Sequence, residues 1–416
     1  LKKLLTVTLF TGLLTSLRII SGLVIAKVVA VYTGPTGIVM LGQVQSLFNA
    51  LNGFVASPVG SGLVRYTAEN HALGYYSCAP WWKASLKWVL LLLAVAIPFG
   101  CLFSKVLASY VFGDAKYFWL VVVTSLALPF SVANTLIASV LNGQHQYRRF
   151  IYLGIFSLVI ATFFMVLVVI NFHLYGAMIA AALFISVSGL AMLIGSIGQP
   201  WMRLDYWFGN TSLVHMRGIG AYVVMAVASA LTFPLALLIV RKMLISQVGW
   251  EQTGYWQAVW RISEVYLGVI TIALSTYFLP KLSSLDGSDL IVSEIKKTAK
   301  IIMPIVLFLA IMVYFSRDLA ISLVFTEDFR PARDLFSIQL VGDVFKILSW
   351  LYAYPMVSRG AVKWFISTEV FFSFSFTVFA YFFIRKFGVN GANMAYAFNY
   401  LMYLFFVYLN VKRFSR

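Results

Sequence analysis

The stretch from Gly254 to Leu279 constrains this chain more than any other. It is an apolar run long enough to cross a bilayer, which takes about 20 residues, and it carries Arg261 and Glu264 near its middle. An ionisable group at that depth costs roughly 2.5–3.5 kcal/mol on insertion scales, so it faces a bundle interior or an aqueous cavity. The i,i+3 spacing sets both groups on one helix face. Two readings stay open: a helix lining a polar pathway, or an ion pair that locks helix packing.

The rest of the chain is built of similar runs. It is 61% hydrophobic and 11% charged, with a mean hydropathy of +0.90, outside the range of soluble domains. Lipid-facing backbone must satisfy its own hydrogen bonds, so the expected class is an all-α polytopic membrane protein. The alternation of a membrane β-barrel is absent. The formal net charge of +17 would suggest nucleic acid in a soluble protein. Here the basic residues sit mostly in short loops, which points to membrane topology, and no nucleic-acid partner is expected. Cys78 and Cys101 show no metal spacing and imply no disulfide framework. The N-terminal Leu-Lys-Lys-Leu resembles the start of a signal sequence, but the apolar run behind it is too long and lacks a cleavage site, so it reads as the first span.

Twelve spans are expected, at about 4–31, 36–57, 84–110, 117–142, 148–171, 174–196, 214–243, 253–279, 298–325, 334–358, 361–384 and 388–411. The longest loops are then 58–83, 197–213 and 280–297, all on one side. A cytoplasmic N-terminus places roughly twice as many Lys and Arg inside as outside, as the positive-inside rule asks, and puts both termini in the cytoplasm. Arg241 and Lys242, read as loop residues, are the worst exceptions.

An internal repeat divides the chain into a six-helix lobe at 1–200, a cytoplasmic linker at 201–213 and a second six-helix lobe at 214–416. Thr36-Gly37 matches Thr253-Gly254 at 217 positions, Arg149-Phe150-Ile151 matches Trp364-Phe365-Ile366 at 215, and Gly176-Ala177 matches Gly391-Ala392 at 215. Units of six spans repeat with parallel topology, related by a pseudo-two-fold axis along the membrane normal, with a substrate site expected between them near the midplane.

Four basic residues, Arg18, Lys27, Arg261 and Lys346, lie within spans, as do the acids Glu264, Asp343 and Glu369. Arg18, near the middle of the first span, needs an anion, an acid on another helix, or water. Lys27 lies nearer the outer interface, where snorkelling competes with a cavity role. Asp343 and Lys346 repeat the i,i+3 acid–base spacing. Such a pair is either structural or beside an aqueous path, where an acid takes up a proton or Na⁺. Gln45, Asn49 and Asn52 form one polar stripe that either lines a cavity or bonds neighbouring helices. Trp256 and Trp260, one turn apart, offer faces for sugar contact or act as interfacial anchors. No phosphate-binding glycine loop, metalloprotease helix or nucleophile elbow occurs, so neither an enzyme nor a bound cofactor such as ATP is expected.

Three stretches carry a family resemblance: Lys27 to Pro35, Gly254 to Leu282 with its Tyr-Phe-Leu-Pro-Lys-Leu ending, and Arg333 to Lys346. Through them the chain resembles the Wzx-type polysaccharide flippases of the multidrug/oligosaccharidyl-lipid/polysaccharide (MOP) exporter superfamily. Arg18, Lys27, Asp343, Lys346 and Glu369 match positions of like charge in that family. Glu264 stands where an aspartate is found, and Arg261 where a small polar residue is found. The resemblance implies a MATE-like fold, with two lobes in a V around a cationic cavity in a bacterial inner membrane. It implies an undecaprenyl-pyrophosphate-linked oligosaccharide, an O-antigen repeat unit, moved from the cytoplasmic to the periplasmic leaflet by alternating access coupled to H⁺ or Na⁺. An O-antigen polymerase and a chain-length regulator are the implied partners. The alternatives are a multidrug or cation antiporter of the same superfamily, which favours an acidic cavity, and a membrane O-antigen polymerase, which favours a large periplasmic loop.

Overall fold

A computed structural model of the protein describes residues 2–274, 278–283, 285 and 287–415. Residues 275–277 of the eighth expected span, and Arg416, lie outside the described residues. The chain forms two compact units, Leu1–Tyr32 with Met40–Leu235, and Thr33–Val39 with Ala236–Arg416.

The first unit contains α1 (Lys2–Val55), α2 (Ser57–Asn70), α3 (Tyr75–Leu102), α4 (Ser104–Phe112), α5 (Phe118–Gly143), α6 (Tyr147–Ile194), α7 (Leu204–Trp207) and the start of α8 (Leu213–Ala273). The second holds the rest of α8, then α9 (Leu279–Ser283), α10 (Ser288–Phe315), α11 (Arg317–Val324), α12 (Phe336–Ser358), α13 (Val362–Phe387) and α14 (Val389–Phe414). Among the described residues nine helices are long and apolar enough to span a membrane. Three of these contain a non-helical residue, Gly34, His173 or Gly249, that divides them in two. The twelve expected spans are thereby accounted for.

The segments expected as long loops are largely helical. Residues 58–83 belong to α2 and the start of α3, and α10 begins ten residues before its expected span, at Ser288 rather than 298. Helices that rise past the hydrocarbon alternate polar and apolar faces, so a hydropathy reading ends them early. In α2, for example, Arg65 and Glu69 pair one turn apart at 2.8 Å on the exposed face. The segment expected as a linker, 201–213, is part of the first core. Trp201 is fully buried, Trp207 nearly so, and the Trp207 ring stacks on Trp82 at 5.4 Å. The start of α8 and the residues just before it are tied to α3 as well, since Trp88 Nε1 donates to the Met216 carbonyl at 2.9 Å and Thr211 donates to the Pro80 carbonyl at 2.8 Å. By packing, residues 201–235 belong with the first unit.

The first core packs α2, α3 and α5 around Leu63, Trp82, Leu128 and Val140. Trp82 is fully buried and donates to Thr67 Oγ1 at 2.9 Å. The second core packs α8, α10, α12 and α14 around Leu267, Ile291, Ile347 and Val407. Exposed rows such as Phe308, Ile311 and Phe315 on α10, or Phe371 and Phe374 on α13, are the faces a bilayer would cover. In the turn between α4 and α5 the Lys116 backbone N–H, bonded at 2.9 Å, holds the Asp114 carboxyl below its usual range.

The repeat is written in the backbone. Gly34 (φ 63°, ψ −162°) and Gly249 (φ 83°, ψ 174°) break their helices 215 positions apart. His173 (φ 50°, ψ −122°) and Gly388 (φ 59°, ψ −138°) do so at the same offset. His145 (φ 55°) and Gly360 (φ 63°) match again at 215. Phe103 and Ser316 end α3 and α10 with nearly equal angles, φ −94° and −96°. A β-carbon on Gly176 would sit 2.2 Å from the Val168 carbonyl oxygen, and one on Gly391 2.1 Å from that of Phe383, so both glycines are required for the same tight corner. The Arg149 and Gly176 matches thus fall in the structural register, whereas Thr36-Gly37 is two positions out of it.

Positive φ costs a side-chain-bearing residue on the order of 1–3 kcal/mol. Gly388→Ala meets only ordinary contact, 3.6 Å from Val248, so backbone strain alone should lower its thermal midpoint. The reciprocal change His173→Gly should raise it. Thermal unfolding of the two purified variants in detergent checks both signs.

Candidate functional site in the second unit

The second unit contains a buried polar cluster where α8, α12 and α14 meet. Asp343, on α12, is completely buried. Its Oδ2 accepts from the Tyr266 hydroxyl of α8 at 2.5 Å. Its Oδ1 accepts from the Tyr396 hydroxyl of α14 at 2.8 Å and from Gln339 Nε2 at 3.2 Å. An ionised carboxylate only accepts, and burying one without donors is prohibitive. Three donors from three helices make this carboxylate a clamp.

One turn further along α12, Lys346 is 9% exposed, and its Nζ lies over four aromatic rings. The centroids are at 5.0 Å (Trp350), 5.4 Å (Tyr400), 5.7 Å (Tyr396) and 5.8 Å (Trp260). Ring faces attract a desolvated cation by about 2 kcal/mol. All three candidate acids, Asp343, Glu264 and Glu369, act electrostatically on this ammonium. Glu369 does so from α13, half-buried.

Glu264 and Arg261 form the accessible edge of the cluster. Glu264 Oε2 accepts from Arg261 Nη1 at 3.2 Å, and Oε1 accepts from Trp260 Nε1 at 3.0 Å. The side chains are 46% and 30% exposed. Behind them Arg241 is 3% exposed, donates from Nε to Gln257 Oε1 at 2.6 Å, and feels the Glu264 charge. Arg241 is therefore not the outer-loop residue that the sequence suggested. It lies inside α8, which continues to Gly249 before breaking.

Arg261, Glu264, Asp343, Lys346 and Glu369 are thus brought together. The sequence reading missed Arg241, Gln257, Tyr266, Gln339, Trp350, Tyr396 and Tyr400. Two signals were available for them: the i,i+4 spacing of Gln339 and Asp343, and the misfit of Arg241 to the positive-inside rule. The tryptophan reading is corrected. Trp256 is fully buried and packed on Trp260 at 5.3 Å, and Trp260 is only 3% exposed, so neither offers a free face to a sugar or to the interface.

The remaining candidates lie in the first unit. Arg18 is exposed on α1, and Lys27 is half-buried. Of the polar stripe, Asn49 is exposed and Gln45 half-buried, whereas Asn52 accepts from Ser131 on α5 at 2.7 Å and so bonds two helices. Gln43, outside the stripe, is fully buried and donates to the Val111 carbonyl at 2.9 Å.

No family model matches the chain. It is 27% identical over 408 residues to the lipid III flippases of Escherichia coli (strain K12) and Shigella flexneri, covering 95% of each protein. Among solved structures it is similar to a multidrug resistance MATE family transporter of the MOP superfamily in its inward-facing conformation. That match has a TM-score of 0.79 at 14% identity and covers 99% of this chain and 98% of that one. The outward-facing conformation of a MATE transporter and a MOP superfamily transporter from Pyrococcus furiosus with a binding pocket of reverse polarity both match at a TM-score of 0.71 and 14% identity, each covering 100% of this chain and 96% of the other. At that identity the structural likeness is one of fold. The chain is an all-helical, multi-pass membrane protein with a MATE-like fold, and it is similar over nearly its whole length to the lipid III flippases.

Proposed function

We propose that the protein is a flippase for an undecaprenyl-pyrophosphate-linked oligosaccharide, carrying an O-antigen repeat unit from the cytoplasmic to the periplasmic leaflet of a bacterial inner membrane. The observation that carries this reading is the gathering of Arg241, Arg261 and Lys346 on transmembrane helices of one unit. A diphosphate cannot cross hydrocarbon unaided, and charge-assisted hydrogen bonds from such groups give it a resting place. Guanidinium groups match phosphate oxygens in a bidentate fork. The near-full-length likeness to the lipid III flippases supports the lipid-linked class of cargo.

Arg18 and Lys27 of the first unit extend the basic set, and Glu264, Asp343 and Glu369 are the acids through which a proton or Na⁺ would be coupled. Both termini are cytoplasmic in this proposal, and the polymerase and chain-length regulator act on the product. The MATE fold also hosts multidrug transporters, and a cationic drug would meet Lys346 and Arg241 as repulsive charges.

The decisive experiment is complementation of flippase-null cells, with the leaflet distribution of the lipid-linked glycan as readout. Native chain should restore surface glycan; altered drug tolerance without glycan would instead indicate the antiporter. Arg18→Ala should lower surface glycan at normal expression, and full display would remove Arg18 from the site. Removing one member of a buried pair costs about 3–5 kcal/mol. Asp343→Asn alone should therefore lower the unfolding midpoint, while Asp343→Asn with Lys346→Met recovers much of it yet stays inactive in flipping. Recovery of both would make the pair structural.

A further inference from the structure

Glu264 occupies an unusual place in the cluster. It is the most accessible of the three acids, 46% exposed at the side chain, whereas Asp343 is fully buried and Glu369 half-buried. Both of its oxygens are engaged, by Arg261 Nη1 at 3.2 Å and Trp260 Nε1 at 3.0 Å. Its charge also reaches Arg241 and Lys346. One carboxylate thus pairs with a guanidinium and an indole donor at the accessible edge of an otherwise buried cluster.

A helix with the Glu three residues after the Arg does not need this pair for its own stability, since an exposed ion pair contributes only about 0–1 kcal/mol. The Trp260 N–H, by contrast, sits in a ring 3% exposed and requires an acceptor. We infer that Glu264 is a placeholder anion: it fills the place of a phosphate oxygen in the empty protein and is displaced by the diphosphate headgroup of the cargo. The cargo then takes over the Arg261 guanidinium and the Trp260 N–H, and Glu264 swings into water. When the headgroup leaves, the carboxylate returns and competes against rebinding. A tethered competitor of this kind keeps a cationic site from holding its cargo too tightly, which a transporter requires of every site it must empty. The inference rests on the flippase reading and adds to it the residue that sets release.

The test uses the full chain purified in detergent and geranylgeranyl diphosphate as probe, with inorganic pyrophosphate as competitor. Glu264→Gln keeps an acceptor for Trp260 but removes the competing charge. It should bind the probe about tenfold tighter than the native chain, with an unchanged thermal midpoint, and inorganic pyrophosphate should compete. Adding Arg261→Met should abolish the gain. Glu264→Asp, too short to reach both donors, should shift affinity the same way by less, and serves if the glutamine variant does not fold. If the native chain restores glycan display in flippase-null cells but neither variant gains affinity, the placeholder role is overturned and the flippase reading stands. If the native chain fails to restore display, the flippase reading falls, and the inference with it.

Discussion

A fully buried carboxylate organises the second unit. Asp343 accepts from one residue of each of three helices, Tyr266, Gln339 and Tyr396. In hydrocarbon there is no solvent to replace a lost donor, and helix association there is driven by close packing together with interhelical hydrogen bonds of this kind. The hydroxyls of Tyr266 and Tyr396 are long levers that reach the carboxylate from separate helices, and the Tyr396 ring at the same time walls the ammonium of Lys346. Charge, aromatic surface and helix position are thus one arrangement. A shift of α14 relative to α12 would disturb the acid and the cation together.

The two halves of the sequence repeat share a backbone plan but not a chemistry. The corners at Gly34 and Gly249, at His145 and Gly360, and at His173 and Gly388 repeat in angle and spacing. Asp343, Lys346 and their aromatic neighbours belong to the second copy alone, and the first copy is held by Trp82, Trp201 and Trp207 packing instead. The shared corners are fixed by backbone angle, Gly34 with Gly249 and His173 with Gly388. The interiors diverge.

Much of the architecture was legible because hydropathy and charge report directly on a bilayer. Span number followed from the apolar runs, the candidates Arg261, Glu264, Asp343 and Lys346 from charges placed in those runs, and the repeat from matches such as Gly176-Ala177 with Gly391-Ala392. Arg241 was misread because a basic residue near an expected span end looks like a loop residue; only the continuation of α8 to Gly249 shows it inside. Trp256 and Trp260 were misread because tryptophans near a helix end look interfacial, while their burial depends on α12 and α14, which are distant in sequence. Tyr266, Tyr396 and Tyr400 carried no signal of their own in a chain with 22 tyrosines. Helices α2 and the start of α10 were read as loops because their polar faces dilute the apolar signal that a span requires.

The corner at Gly34 has a temporal side. Residues Thr33–Val39 pack with the second unit, and Pro35 lies against the place where Gly254 comes closest. Ribosomes deliver about 5–20 residues per second, so roughly 200 further residues take on the order of 10–40 s to emerge. For that interval the segment has been made and its seat has not. Assembly of the second half therefore finishes by receiving a piece of the first, and the order of synthesis makes the N-terminal half the one that waits.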